Sequence, residues 1–170
     1  WEQCIPAYLD WELSRAADWK VESTELKKER VYREGDTQIV LTGRIDRLDR
    51  GRDGYAIIDY KTGAVPARDP VLRGEKIQLP FYALLLEQDN IASAAFLALE
   101  DDAVKEKTAL DGETLAMLRS AIRERLLLLK QQLDAGTELW AFVLSLREEH
   151  GRRQNAKTCE TECAAESAQT

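Results

Sequence analysis

Histidine is almost absent from this 170-residue chain: His150 is the only one. A complete zinc site wants four ligands, and the three cysteines, Cys4, Cys159 and Cys163, do not bring the count there in any usual spacing. An odd number of cysteines with one far from the other two makes no disulfide framework, so free thiols in a reducing compartment are expected. No apolar run is long enough to cross a bilayer, and the first residues lack the pattern of a secretory signal. The expected location is therefore the cytoplasm, with no membrane partner. A basic excess is lacking too: 24 Lys and Arg stand against 31 Asp and Glu, a net charge of −7. Nucleic-acid binders usually show a basic footprint, because neutralised phosphates supply most of the non-specific affinity. Composition taken alone thus lowers the expectation of a nucleic-acid role. No internal repeat is visible.

What is present is ordinary for a globular domain, with 44% apolar and 32% charged residues. A chain of this length buries enough apolar surface to fold without disulfide or metal staples. It begins at Trp1 and reads as a piece of something longer. One domain is expected over residues 1–141, followed by a polar, Ala-, Glu- and Thr-rich tail over 142–170. Ile5 to Trp19 reads as an amphipathic helix with Pro6 tolerated near its start. Leu26–Tyr32 and Thr37–Asp46 read as strands around the Gly35-Asp36 turn, and Leu48–Gly54 as a polar hairpin turn leading into the apolar strand Tyr55–Tyr60. Lys61–Gly74 reads as a loop. Ile77–Glu87 suits a buried helix with Pro80 in its first turn. Strands are expected over Ile91–Leu99 and Val104–Leu110, and a helix over Gly112–Leu133, ended by Ala135-Gly136. This order predicts an α/β sandwich: a central mixed sheet flanked by helices.

Two carboxylates and a lysine converge on the predicted hairpin. Residues two apart on a strand face the same side, so Asp59 and Lys61 project together while Tyr60 points away. If the strands pair across their short turn, Asp46 lies beside Asp59. Neighbouring carboxylates repel unless a cation lies between them, and hard oxygen ligands suit Mg²⁺ or Mn²⁺. Asp46 and Asp59, helped by the Tyr60 carbonyl, would hold such an ion. An ammonium at Lys61 suits orienting a water or stabilising negative charge on a phosphorane-like transition state. A lone D-x-K is most often an ordinary salt bridge. Here Asp59 follows Ala56-Ile57-Ile58, where an unpaired charge is expensive. Gly43, three residues before Asp46, marks a close backbone approach or a strand distortion.

The segments GRIDRLDR, IIDYKTG and QLPFY, in that order, resemble the signature set of the PD-(D/E)XK nuclease superfamily, most closely its RecB-like branch, which includes AddB-type recombination proteins. The resemblance covers roughly Glu25 to Leu139. It implies a restriction-endonuclease-like fold, metal ligands at Asp46 and Asp59, and a catalytic lysine at Lys61. It also implies site roles for Gln78 and Tyr82, the Q-x-x-x-Y pair on one helix face. The implied activity is Mg²⁺- or Mn²⁺-dependent hydrolysis of DNA, as an exonuclease rather than an endonuclease, inside a helicase–nuclease with further domains or subunits. RecB-like domains usually carry a metal-binding histidine on an upstream helix. None precedes Asp46, so that helix is expected before Trp1, with a carboxylate such as Glu25 as the alternative. AddB-type proteins can also hold an iron–sulfur cluster on four cysteines; the spacing here does not match, and no cluster is expected. Arg44, Arg47, Arg50 and Arg52 form the densest positive cluster and read as exposed hairpin charges, meeting phosphates or aiding solubility. A rival reading keeps the fold as a non-catalytic DNA-binding or scaffolding module.

Overall fold

The computed structural model describes residues 3–86, 90–100 and 102–134. The expected stop at Ala135-Gly136, the tail over 142–170, His150, Cys159 and Cys163 lie outside the described residues. The chain divides into two compact units, Trp1–Leu127 and Leu128–Thr170. The first contains the whole sheet.

Five strands form one sheet in sequential order: β1 (Trp19–Glu34), β2 (Thr37–Gly51), β3 (Tyr55–Lys61), β4 (Ile91–Leu99) and β5 (Val104–Asp111). β1, β2 and β3 are joined antiparallel, β3 and β4 run parallel, and β4 and β5 close antiparallel. A parallel pair needs a crossover. It is supplied by the segment that carries the short helix α2 (Arg68–Leu72) and then α3 (Gln78–Leu85). The central strand is almost wholly buried, which explains its unbroken apolar run. Ile57, Ala94 and Phe96 face α3 and the start of α4 (Gly112–Asp134), in a core shared with Leu79, Ala83 and Leu115. Ile58, Ala95 and Leu97 face the other way, onto Tyr8 and Trp11 of α1 (Ile5–Arg15). The expected mixed-sheet α/β sandwich is what forms. Among the described residues no helix is long and apolar enough to cross a membrane.

Several expectations are corrected. The first helix ends at Arg15, and Trp19 opens β1 instead of closing that helix. β2 continues to Gly51, so most of the stretch read as a polar turn is strand. The physical reason is an ion-pair network that lets charged residues enter a buried strand. Arg47 is 3% exposed and Asp49 0%. Arg47 Nε donates to Asp49 Oδ1 at 2.6 Å, and its two terminal nitrogens reach Glu12 of α1. Arg15 adds a second guanidinium to Asp49 at 3.2 Å and binds Glu106 of β5 at 2.8 Å. Arg47 is thus no surface charge: it fastens α1 to the sheet. Glu12 is held below the ordinary glutamate range by its hydrogen bond from Arg47, against the opposing effect of burial. The turn itself shrinks to the residues around Gly54, whose φ of 146° and proximity to the Asn90 carbonyl leave no room for a Cβ. The stretch expected as an unbroken loop, Lys61–Gly74, also contains α2.

Candidate active site

The β2–β3 ladder runs from Arg50↔Tyr55 to Arg47↔Ile58, and one step further the same register sets Asp46 against Asp59. There the ladder ends. Asp46 Oδ2 accepts the Tyr60 backbone N–H at 3.1 Å, so a carboxylate stands where a ladder carbonyl would. On the other side of β2, the register with β1 puts Glu25 at the position facing Asp46, and Glu25 has a φ of 50°. Ile45 and Leu48, three residues apart, join the same core cluster, so the simple alternation of β2 breaks at this point. Asp46, two residues from Leu48 and opposite Asp59 in this register, shares the α3 side with Asp59 by ordinary alternation, and the break brings Ile45 to that side as well.

Asp59 is 1% exposed. Its Oδ2 lies 2.6 Å from Lys61 Nζ, and its Oδ1 accepts a hydrogen bond from Gln78 Nε2 at 2.7 Å. Gln78 Oε1 in turn accepts from Lys61 Nζ at 2.9 Å, and Gln78 Nε2 also donates to the Tyr82 hydroxyl at 3.0 Å. The amide of Gln78 therefore bridges acid and base, its oxygen toward the cation and its nitrogen toward the anion. Gln78 opens α3 and Tyr82 follows one turn later, so one helix face delivers both. Lys61 Nζ also lies 5.2 Å from the centre of the Phe96 ring, which floors the site from β4. Tyr60 turns to the opposite face, where its hydroxyl lies 3.1 Å from that of Tyr8.

α3 can approach this closely because of Gly43. A Cβ built there would fall 2.5 Å from Leu85 Cδ1 and 3.3 Å from Phe81 Cε1. Gln78 also lines an open cleft of about 400 Å³ together with Pro66, Lys76, Ile77 and Phe81.

The electrostatics reflect this burial. Desolvation raises the Asp59 carboxyl above the ordinary range; the Lys61 contact lowers it, and the Asp46 charge adds to the rise. Tyr82 is raised chiefly by burial, against the Gln78 hydrogen bond. The Asp59 Oδ2 atom is buried and receives no well-directed hydrogen bond, despite its ion pair. A buried carboxylate oxygen short of donors, beside a second carboxylate, is the donor set of a hard divalent cation. Among the described residues no group of three or more His, Cys, Asp or Glu side chains converges. Glu25, the alternative to an upstream histidine, engages Arg44 at 2.8 Å with both side chains exposed. Cys4 is a buried free thiol.

Of the side chains singled out from sequence, Asp59, Lys61, Gln78 and Tyr82 form one contact set, and Asp46, bound to the Tyr60 N–H, acts on Asp59 and Tyr82 through its charge. Phe96 reads from sequence only as a strand residue. Nothing local marks it, since its place beside Lys61 comes from the parallel pairing Asp59↔Phe96.

A mixed five-stranded sheet with helices on both faces, and two acids and a lysine at the open end of its central hairpin, defines a restriction-endonuclease-like α/β protein. A family model of the PD-(D/E)XK nuclease superfamily matches residues 1–167, and the chain belongs to that superfamily. Its members are generally nucleases that use divalent metal ions. No curated protein matches the sequence. A solved structure titled "Crystal structure of SSO0001" is similar at 21% identity and a TM-score of 0.39, over 66% of this chain and 54% of that one. The chain thus spans about half the length of that structure.

Proposed function

We propose that this chain is the nuclease domain, over residues 1–141, of a RecB-like protein that hydrolyses DNA phosphodiester bonds with Mg²⁺ or Mn²⁺. The observation that carries the reading is the closed contact set Asp59–Lys61–Gln78–Tyr82 with Asp46 across the strand end. Asp46 and Asp59, with the Tyr60 carbonyl, would hold the ion, which supplies Lewis acidity at a phosphate when bound. Lys61, kept in place by Gln78 and the Phe96 ring, offers its ammonium to the negative charge that grows in the transition state. Gln78 fixes the orientation of both charged groups, so neither must reorganise as the reaction proceeds. Exonuclease action within a cytoplasmic helicase–nuclease, alongside other domains or subunits, extends the same reading by family analogy.

The test is cleavage of labelled DNA by the chain and by Asp59→Ala and Lys61→Ala, with Mn²⁺ calorimetry on the same samples. Loss of cleavage in both variants, and of Mn²⁺ binding in Asp59→Ala, supports the reading. Cleavage unchanged in either variant would sink it. The net charge of −7 favours one rival, a non-catalytic module of the same fold; folded protein that binds no Mn²⁺ and cleaves no DNA is its signature.

A further inference from the structure

The candidate site occupies the first turn and a half of α3. At the other end of the helix lies a second cleft, of about 340 Å³, lined by Arg30, Tyr32, Leu84, Leu86, Arg119 and Arg123, with Ser120 at its edge. Three arginines thus line one cleft in a chain that is acidic overall. The Arg30 and Arg123 guanidinium carbons each lie 5.3 Å from the centre of the Tyr32 ring. Tyr32 is itself anchored, its hydroxyl donating to the Leu84 carbonyl at 2.8 Å. Arg30 Nη1 donates to the Leu86 carbonyl at 3.2 Å. Ring contact and carbonyl contact both hold guanidinium groups in place without cancelling their charge. Among the described residues neither Arg30 nor Arg123 has a carboxylate partner, and the carboxylate of Glu124 accepts a hydrogen bond from Ser120 at 3.2 Å. Arg119 has an interaction of its own, so the pocket's uncompensated charge is that of Arg30 and Arg123.

Like charges held on one ring repel unless an anion joins them. Guanidinium is the group that matches a phosphate, by paired N–H donors and by its permanent charge. At 1.5 Å per residue the two ends of α3 lie roughly 10 Å apart, so one extended strand reaches both places. We propose that this arginine pocket binds a backbone phosphate of the nucleic acid that passes the candidate site. It would supply part of the grip that the acidic composition does not. The proposal rests on the nuclease reading for the identity of its ligand, and on the pocket alone for the phosphate chemistry.

The experiment measures binding of fluorescent single- and double-stranded DNA oligonucleotides to the full chain in EDTA, across a salt series. The variants are Arg123→Glu, at an exposed position, and Arg30→Gln/Arg123→Gln, with thermal melts to confirm folding. The expected result is weakening of about tenfold for the double variant, with a salt slope shallower by roughly one per lost phosphate contact. A parallel arm titrates inorganic phosphate and pyrophosphate. Loss of phosphate binding with DNA binding unchanged overturns the backbone assignment in favour of a small phosphate ligand. Wild-type values in both arms, or no binding by the wild type in either, overturn the pocket altogether. Asp59→Asn, assayed for cleavage, keeps the two readings apart. If it abolishes cleavage while Arg123→Glu binds normally, only the pocket fails. If wild type neither cleaves nor binds DNA, the nuclease reading fails and the phosphate arm decides the pocket.

Discussion

Arg47→Met is the substitution whose consequence the structure fixes most fully. The wild-type guanidinium contacts Asp49 twice, at 2.6 and 3.1 Å, contacts Glu12 through both terminal nitrogens, and reaches the Tyr8 hydroxyl at 3.1 Å. Methionine fills most of the same volume and restores none of these bonds. Asp49, fully buried, is then left with Arg15 alone at 3.2 Å. Removing one member of a buried ion pair costs about 3–5 kcal/mol, chiefly because the remaining charge has no solvent and too few partners. For a domain with 5–15 kcal/mol of stability as a general range, that is a large fraction, and it corresponds to a melting point lower by roughly 10–15 °C. The cost belongs to the stranded charge and not to the lost contact. Arg47→Met/Asp49→Asn should therefore be more stable than Arg47→Met by at least about 1 kcal/mol, a coupling far outside additivity. Urea denaturation followed by circular dichroism, at unchanged m-value, reads both numbers. A single variant within about 1 kcal/mol of wild type, or a double variant no better than the single, would refute the view that this network fastens α1.

In EDTA, the raised Asp59 carboxyl means that the fold prefers its protonated form. Its contribution to stability is present at low pH and fades as pH rises through the raised value; Asp59→Asn should flatten that slope in a denaturation series from about pH 4 to 8. An unchanged slope would show that burial is not the dominant influence there. Since only ionised Asp59 can hold a cation, Mn²⁺ affinity should fall as pH drops through the same range, which calorimetry reads directly. Gln78→Ala should lower cleavage or metal affinity by roughly 10- to 100-fold while the melting point moves little, the usual effect of removing a partner that orients a ligand; wild-type kinetics would show that the bridge is incidental. Gly43→Ala should destabilise the domain, because overpacking at about 1–3 kcal/mol exceeds the roughly 0.4–1 kcal/mol gained from a stiffer unfolded chain. A variant more stable than wild type would mean that Leu85 yields freely.

Local pattern made much of this protein readable. The apolar run Ile91–Leu99 is β4 to the residue, and the spacing of Leu115, Leu118, Ile122 and Leu126 gives α4 its start. Asp59 and Lys61 share a face because strands alternate, and Gln78 and Tyr82 share one because helices turn every 3.6 residues. The departures at the hairpin have one cause, contact between distant segments. Arg47 and Asp49 sit in a string of charges that looks like a turn, and only partners 35 and 34 residues away, Glu12 and Arg15, make them strand. Trp19 fits the amphipathic spacing of the first helix, whereas its ring lies near Arg15 and against Gly51 of β2.

By itself, then, the sequence determined the strand and helix periods, the faces shared by Asp59 with Lys61 and by Gln78 with Tyr82, and the superfamily that the chain belongs to. Tertiary structure alone decided that the Gln78 amide bridges Asp59 and Lys61, that Phe96 lies beneath the lysine, that Arg47 is buried, and that Arg30 and Arg123 meet at Tyr32. Periodicity acts between near neighbours and is written in the order of residues. Ion pairs, ring contacts and charge convergence act through space, and they exist only once the sheet has brought distant segments within a few ångströms of one another.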